Sequence, residues 1–257
     1  MTTTIILLQI IVLALTSSTL AVVIWGFFKI RKIHLATFQL SNDTRIIRRE
    51  STVLFAQLQA LRSLEDKLAL EQALPPVRGW AGSPDFLLTL FESILEKAPS
   101  TVVECSSGVS TLVIARGLQQ NERGHVYSLE HDRKYAEKTS AMLKKYGLEQ
   151  WATIIYAPLI SNGEGVPWYD DSKIPSDIDP IDLLVVDGPP NDLAPLARLP
   201  AVPRLLPRMA DTCVIILDDA ARDAERTTVE HWLEMMPQYF STYLHHEKGC
   251  VILERSG

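Results

Sequence analysis

From residue 101 onward, short apolar runs alternate with amphipathic stretches at helical spacing: TVVE, then STLVIARGL, HVYSLEHD, KYAEKTSAMLKKYG, WATIIYAPL, IDLLVVDGPP and TCVIILDDA. Runs of four to eight apolar residues bounded by turn formers read as buried strands, and their alternation with helices implies βαβ units around a parallel sheet covered on both faces. The fold class is therefore α/β. The C-terminal end breaks this rhythm. YFSTYLHHE and GCVILER are separated only by a Lys-Gly turn, which leaves no room for a crossover helix, so these two strands must pair antiparallel.

Ahead of this region the chain has a different character. Ile5 to Phe28 contains no charged residue, and 24 helical residues extend about 36 Å, enough to cross a hydrocarbon core of about 30 Å. The segment predicts a single membrane span. Lys29, Arg31 and Lys32 follow it directly, which by the positive-inside bias puts the C-terminal body in the cytoplasm. No basic region precedes the run, which disfavours a cleaved signal peptide. Trp25 suits an interfacial belt. Residues 1–32 thus read as an anchor with a basic flank, 33–74 as a helical connector and 75–257 as the main domain.

In the connector, Leu54, Leu58, Leu61, Leu64 and Leu68 recur at spacings of three and four, one stripe on a helix. The stripe suits either a short coiled coil that pairs two copies or a helix packed on its own domain. Arg45, Arg48 and Arg49 fit either anionic lipid or a solvated face. Pro75-Pro76 ends the helix, and Ser83-Pro84-Asp85 starts the next with Ser83 as N-cap. The first 50 residues hold six Lys/Arg and two Asp/Glu, so 19 basic residues face 29 acidic ones in the remainder; such a body repels nucleic acid. Cys105, Cys213 and Cys250, odd in number and set in apolar contexts, read as reduced core thiols.

A seven-stranded sheet with a reversed last strand, an acid closing the first strand and a small-residue loop after it resembles the Rossmann-like, class I S-adenosylmethionine-dependent methyltransferases. The resemblance implies that the ligand lies beyond the carboxyl ends of the strands. It assigns Glu104, Ser106, Gly108 and Ser110, from ECSSGVS, to the methionine part of the cofactor, and Glu130, from YSLEHD, to the ribose hydroxyls. Ser106 stands where the family more often has Gly. Without the resemblance, ECSSGVS reads as a structural turn and Asp132 as a helix cap.

Asp187 ends LLVVD, and Asp218 and Asp219 end VIILDD. Three gathered carboxylates repel one another unless a cation or protons offset the charge. The set resembles that of the catechol-type O-methyltransferases, which implies Mg2+ or another divalent cation on Asp187, Asp218 and Asp219, with Asp219 in place of the family's Asn. The alternatives are Asp187 as a general base without a metal, and Asp218 or Asp219 as a cap or a partner of Arg222 or Arg226. Catalysis falls to Asp187 and Asp218. Trp168, Tyr169 and the Pro-rich run after Asp187 flank the expected pocket, and Trp80 either covers the cofactor or joins the core.

The expectation is a membrane-anchored enzyme that methylates a hydroxyl on a small molecule, sugar or lipid-linked glycan. A catalytically inactive scaffold that recruits partners at the membrane is the other class of reading. A nicotinamide enzyme is disfavoured because G-x-G-x-x-G is missing. All of it requires Glu104, Glu130, Asp187 and the Asp218-Asp219 pair to border one cavity.

Overall fold

The computed structural model describes residues 2–77, 79, 81–161 and 165–255, without the side chains of 2–11, 14, 21 and 42–51. Trp80 lies outside the described residues, as do the side chains of Arg45, Arg48 and Arg49. The chain forms two compact units, 1–55 and 56–257.

The described residues of the first unit are helical, part of a helix α1 (Thr2–Leu68). Its described apolar side chains from Val12 to Phe28, among them Leu13, Val22, Val23 and Phe27, are exposed. Among the described residues no helix is long and apolar enough to cross a membrane, so the span expected at Ile5–Phe28 is not found among them. The side chains of its first seven residues lie outside the described ones.

In the second unit the end of α1 packs on its own domain. Leu64 and Leu68 are fully buried whereas Leu58 is exposed, so the leucine stripe is used only in its last two turns. Arg116 fastens this end by donating from Nε to the Leu68 carbonyl at 2.7 Å. Ala69, at φ 46°, closes the helix in a left-handed conformation. Helix α2 (Pro84–Lys97) begins after Ser83 with Pro84 in its first turn. The Ser83 hydroxyl does not cap it but donates to Asp85 at 2.5 Å, and Asp85 in turn accepts from the Phe86 N–H.

The sheet follows: β1 (Thr101–Cys105), β2 (His125–Glu130), β3 (Ala152–Tyr156), then a small antiparallel pair β4 (Leu159–Ile160) and β5 (Trp168–Tyr169), and β6 (Ile181–Val186), β7 (Met209–Asp218), β8 (Tyr239–Leu244) and β9 (Cys250–Arg255). Helices α3 (Val109–Gln120), α4 (Arg133–Lys145), α5 (Ala201–Leu205) and α6 (Asp223–Met235) connect them. The strand order is β3-β2-β1-β6-β7-β9-β8. All neighbours are parallel except those of β9, which runs against both β7 and β8. The reversed last strand is as expected; that it inserts between β7 and β8, instead of extending the edge, is not something a two-strand run at a C-terminus announces.

Successive residues of a strand face opposite sides, and both sides are filled. Val103, Leu184, Ile215 and Leu217 meet Trp232 of α6, while Val102, Leu183, Val185 and Ile216 meet Leu90 and Phe91 of α2 and Leu112 of α3. Cys105, Cys213 and Cys250 are buried free thiols, and burial pushes all three well above an ordinary thiol. They are inert core residues.

Candidate active site

The strand order reverses between β1 and β6, and a ligand crevice is expected beyond the carboxyl ends of the strands at that point. A cavity of about 290 Å³ lies there, walled by Ser106, Gly108, Ser110, Glu130, His131, Tyr169 and Asp187. Past Asp187 and Pro190 a second hollow begins, bordered by Asp192, Arg198, Asp219, Arg222 and Lys248. Ser106 takes φ 135°, a conformation almost reserved for glycine; the loop holds the strained form with a serine. Gly108 donates its N–H to Thr111 Oγ1 at 3.0 Å, which turns the chain into α3.

Glu130 is the last residue of β2, one position past the register that pairs Cys105 with Leu129. It is nearly buried, yet its carboxylate meets the cavity. It accepts from the Ser107 hydroxyl and the Asp132 N–H, each at 2.9 Å, and lies 3.2 Å from His131 Nδ1. Burial acts to raise its pKa, but His131, the Asp132 N–H and the Ser107 hydroxyl together hold it below the ordinary carboxylate range. The same pairing raises His131. Asp132 caps α4, accepting from the N–H groups of Lys134 and Tyr135 at 2.8 and 3.1 Å.

Glu104 does not border the cavity. Strand alternation turns it to the side of Val102, toward α3, where it is fully buried and accepts from the Thr111 and Ser128 hydroxyls at 2.6 Å each. Burial pushes it up to about 7, against the hydroxyls of Ser110, Ser128 and Thr111. It therefore sits behind the loop and braces it, a correction to the expectation that it borders the shared cavity.

Asp187, Asp218 and Asp219 do converge: one carboxylate oxygen from each lies within 4.8 Å of the others. Asp218, however, is fully buried and lines neither hollow, so it too stands behind the wall. Glu130 and Asp187 border the first hollow and Asp187 and Asp219 the second, so the one cavity expected for all five acids is divided in two, joined at Asp187. At the centre is a residue the sequence reading passed over. Arg198, 3% exposed, donates to the Asp218 carbonyl at 2.9 Å and to Asp219 Oδ2 at 2.7 Å. It also donates to the Asp187 carbonyl and lies 3.5 Å from the Asp187 carboxylate and 3.7 Å from Glu225. Arg222 adds a contact of 2.8 Å to Asp219, one of the partners expected for it; Arg226 pairs with Asp223 instead. The signal for Arg198 was present, since it is a lone charge in LARLPAV, and clustered acids require a countercharge.

The charges nevertheless do not close. Four acids, Asp187, Asp218, Asp219 and Glu225, face two arginines, with Lys248 the further base bordering this hollow. Both oxygens of Asp218 and Oδ1 of Asp219 have no hydrogen-bond partner. Burial, and then the charges of Asp187 and Asp219, push Asp218 well above its ordinary value. Burial likewise raises Asp187 to about 6, against the pull of Arg198. Unpartnered buried oxygens of this kind fit a divalent cation, or a retained proton.

The β4–β5 pair fixes the two aromatic residues of the long loop. Trp168 and Tyr169, 2% and 1% exposed, both join the core, and Tyr169 also lines the cavity beside Gly188, where an added Cβ would lie 2.4 Å from its hydroxyl. Asp171 holds the loop to α5 through Arg204, at 2.8 and 2.9 Å.

Residues 103–220 match a family model described as a methyltransferase domain. No curated protein matches. Among solved structures, an O-methyltransferase from Bacillus cereus in complex with SAH superposes with a TM-score of 0.55 at 17% identity, over 77% of this chain and 91% of that one. The O-methyltransferase TomG from Streptomyces achromogenes, in complex with SAM, gives 0.52 at 16%, over 79% and 90%. The SAH-bound methyltransferase PaMTH1 from Podospora anserina gives 0.53 at 15%, over 77% and 88%. At these identities the superpositions speak for the fold, a mostly parallel seven-stranded sheet with one reversed strand. Residues 103–220 are thus similar to a methyltransferase domain, in a chain that shares the fold of these O-methyltransferase structures.

Proposed function

We propose that the protein is an S-adenosylmethionine-dependent O-methyltransferase. The observation that carries this reading is the cavity at the β1–β6 switch point, with the Glu130 carboxylate on one side and Asp187 on the other. Ser106, Gly108 and Ser110 would surround the methionine part of the cofactor, with Glu104 bracing them from behind. Glu130 would accept from the ribose hydroxyls, an arrangement that acids at the end of a second strand favour. The acceptor would enter from the hollow beyond Asp187, its hydroxyl oxygen in line with the sulfonium methyl group. S-adenosylmethionine bound there would supply the methyl group to that oxygen, and Asp187 would take up the hydroxyl proton. Asp187, Asp218 and Asp219 are the residues that would hold a divalent cation; bound there, it would lower the proton affinity of the acceptor oxygen.

Titration calorimetry of the full chain with S-adenosylmethionine tests this. Binding is expected, and Glu130→Ala should weaken it by about tenfold or more, as lost charge-assisted hydrogen bonds require. A chain that binds no cofactor, with or without Mg2+, would be a scaffold.

We propose further that residues 5–28 tether the enzyme to a membrane, with the catalytic unit on the cytoplasmic side and a small-molecule or lipid-linked glycan as acceptor. The uncharged run, the exposed apolar side chains of Val12 to Phe28 and the bases at 29, 31 and 32 support it. The chain should stay in the membrane pellet after alkaline carbonate washing; release into the supernatant would end the anchor reading.

A further inference from the structure

Helix α4 gives the cavity its cap Asp132 and the side chain of Tyr135, yet it is the most basic element of an acidic domain. Over Arg133–Lys145 it carries five Lys/Arg and one Glu. At 100° per residue, Lys134, Lys138, Ala141 and Lys145 fall on one face, and all four are exposed. Among the described residues none of these lysines has an acidic partner within salt-bridge distance; Lys138 and Lys145 lie instead 5.7 and 5.6 Å from the Tyr135 and Tyr146 rings.

Beside this stripe runs a groove of about 790 Å³ between α4 and the segment after α1. Leu74, Pro75, Pro76, Val109 and Met142 give it an apolar wall, and Lys138 and Lys145 belong to its lining. The groove is held open by fixed backbone: the Tyr146 hydroxyl donates to the Ala73 carbonyl at 2.6 Å, and Gln72 donates to the Lys145 carbonyl at 3.3 Å. A solvated basic face would need no such apolar neighbour. Paired cations next to an apolar trough complement a molecule with an anionic head and a hydrocarbon chain.

We propose that this groove binds one anionic phospholipid, its phosphate on Lys138 and Lys145 and an acyl chain against Leu74, Pro75, Pro76 and Met142. Such a site would hold the domain at an anionic lipid surface independently of residues 5–28. It shares Ser107, Gly108 and Val109 with the wall of the cofactor cavity, so lipid in the groove would press on the loop that surrounds the cofactor.

The test titrates the full chain in neutral detergent with dihexanoyl phosphatidylglycerol, dihexanoyl phosphatidylcholine and inorganic phosphate. Phosphatidylglycerol should bind saturably, with the other two far weaker. Lys138→Glu with Lys145→Glu should weaken it by about thirtyfold, since each lysine near an anionic head contributes about 1 kcal/mol. Lys138→Arg with Lys145→Arg should retain it. The Glu variant's far-ultraviolet spectrum and melting temperature, unchanged because both sites are exposed, report that it has folded. Equal binding of phosphatidylcholine, or an undiminished affinity in the Glu variant, would overturn the role of the lysines. Equal binding of inorganic phosphate would overturn the apolar half of the site.

Discussion

Arg198→Met should lower the unfolding free energy by about 3–5 kcal/mol, the usual consequence of removing one partner from a buried ion cluster. The guanidinium is the joint between the ends of β6 and β7: it takes the carbonyls of Asp187 and Asp218 and the carboxylate of Asp219 at once. Without it two carbonyls lose their donor and four acids keep one arginine, Arg222, which is half exposed. Arg198→Lys should recover little, because a single ammonium cannot span both carbonyls and the carboxylate. The loss should shrink as pH falls. In the variant the raised carboxyl groups hold protons to higher pH than in the unfolded chain, so the folded state is relieved at pH 5 and most penalised at pH 8. Denaturant unfolding at the two values measures this. A second change, Asp219→Asn, should restore part of the loss, and the coupling in that double-mutant cycle gives the strength of the Arg198–Asp219 contact. A variant as stable as the parent at pH 8 would mean that the acids are already neutral, and the charge argument would fail.

The parallel sheet was legible because its strands are buried on both faces and so read as unbroken apolar runs, as in LLVV and VIIL. The terminal hairpin was legible because a Lys-Gly turn excludes a crossover. What pattern cannot carry is the direction in which a side chain points at the end of a strand. Glu104 and Glu130 look equivalent in sequence, each an acid closing a strand. One residue of register separates them: Glu130 lies past the end of β1 and meets the cavity, while Glu104 is flanked by β2 and β6 and turns under α3. Arg198 was passed over for a related reason. It comes from a Pro-rich connection whose path over the sheet has no periodicity, so only the unbalanced charge at Asp187, Asp218 and Asp219 pointed to it. The leucine stripe of α1 shows the limit of periodicity itself, for equal spacing covers Leu58, which is exposed, and Leu64, which is fully buried.

At saturating S-adenosylmethionine, Asp187→Asn should reduce turnover by about 10²–10⁴-fold, the range for loss of a positioned general base, while cofactor affinity changes little. The separation follows from position: Asp187 stands where the first cavity opens into the second hollow, whereas the cofactor's proposed partners Ser106, Gly108, Ser110 and Glu130 line the first cavity. The pH profile carries the sign. Burial raises Asp187 to about 6, with the Asp219 charge adding to it and Arg198 opposing. Only the carboxylate accepts a proton, so turnover should rise with pH through about 6 and then level off. With a chelator present this limb should persist if Asp187 acts alone. If turnover instead disappears with the chelator and returns with Mg2+, the unpartnered oxygens of Asp218 and Asp219 are cation ligands, and Asp218→Asn should then impair turnover as much as Asp187→Asn. Should Asp187→Asn abolish cofactor binding as well, the division between a cofactor side and an acceptor side at this residue is wrong, and the second hollow loses its claim to the acceptor.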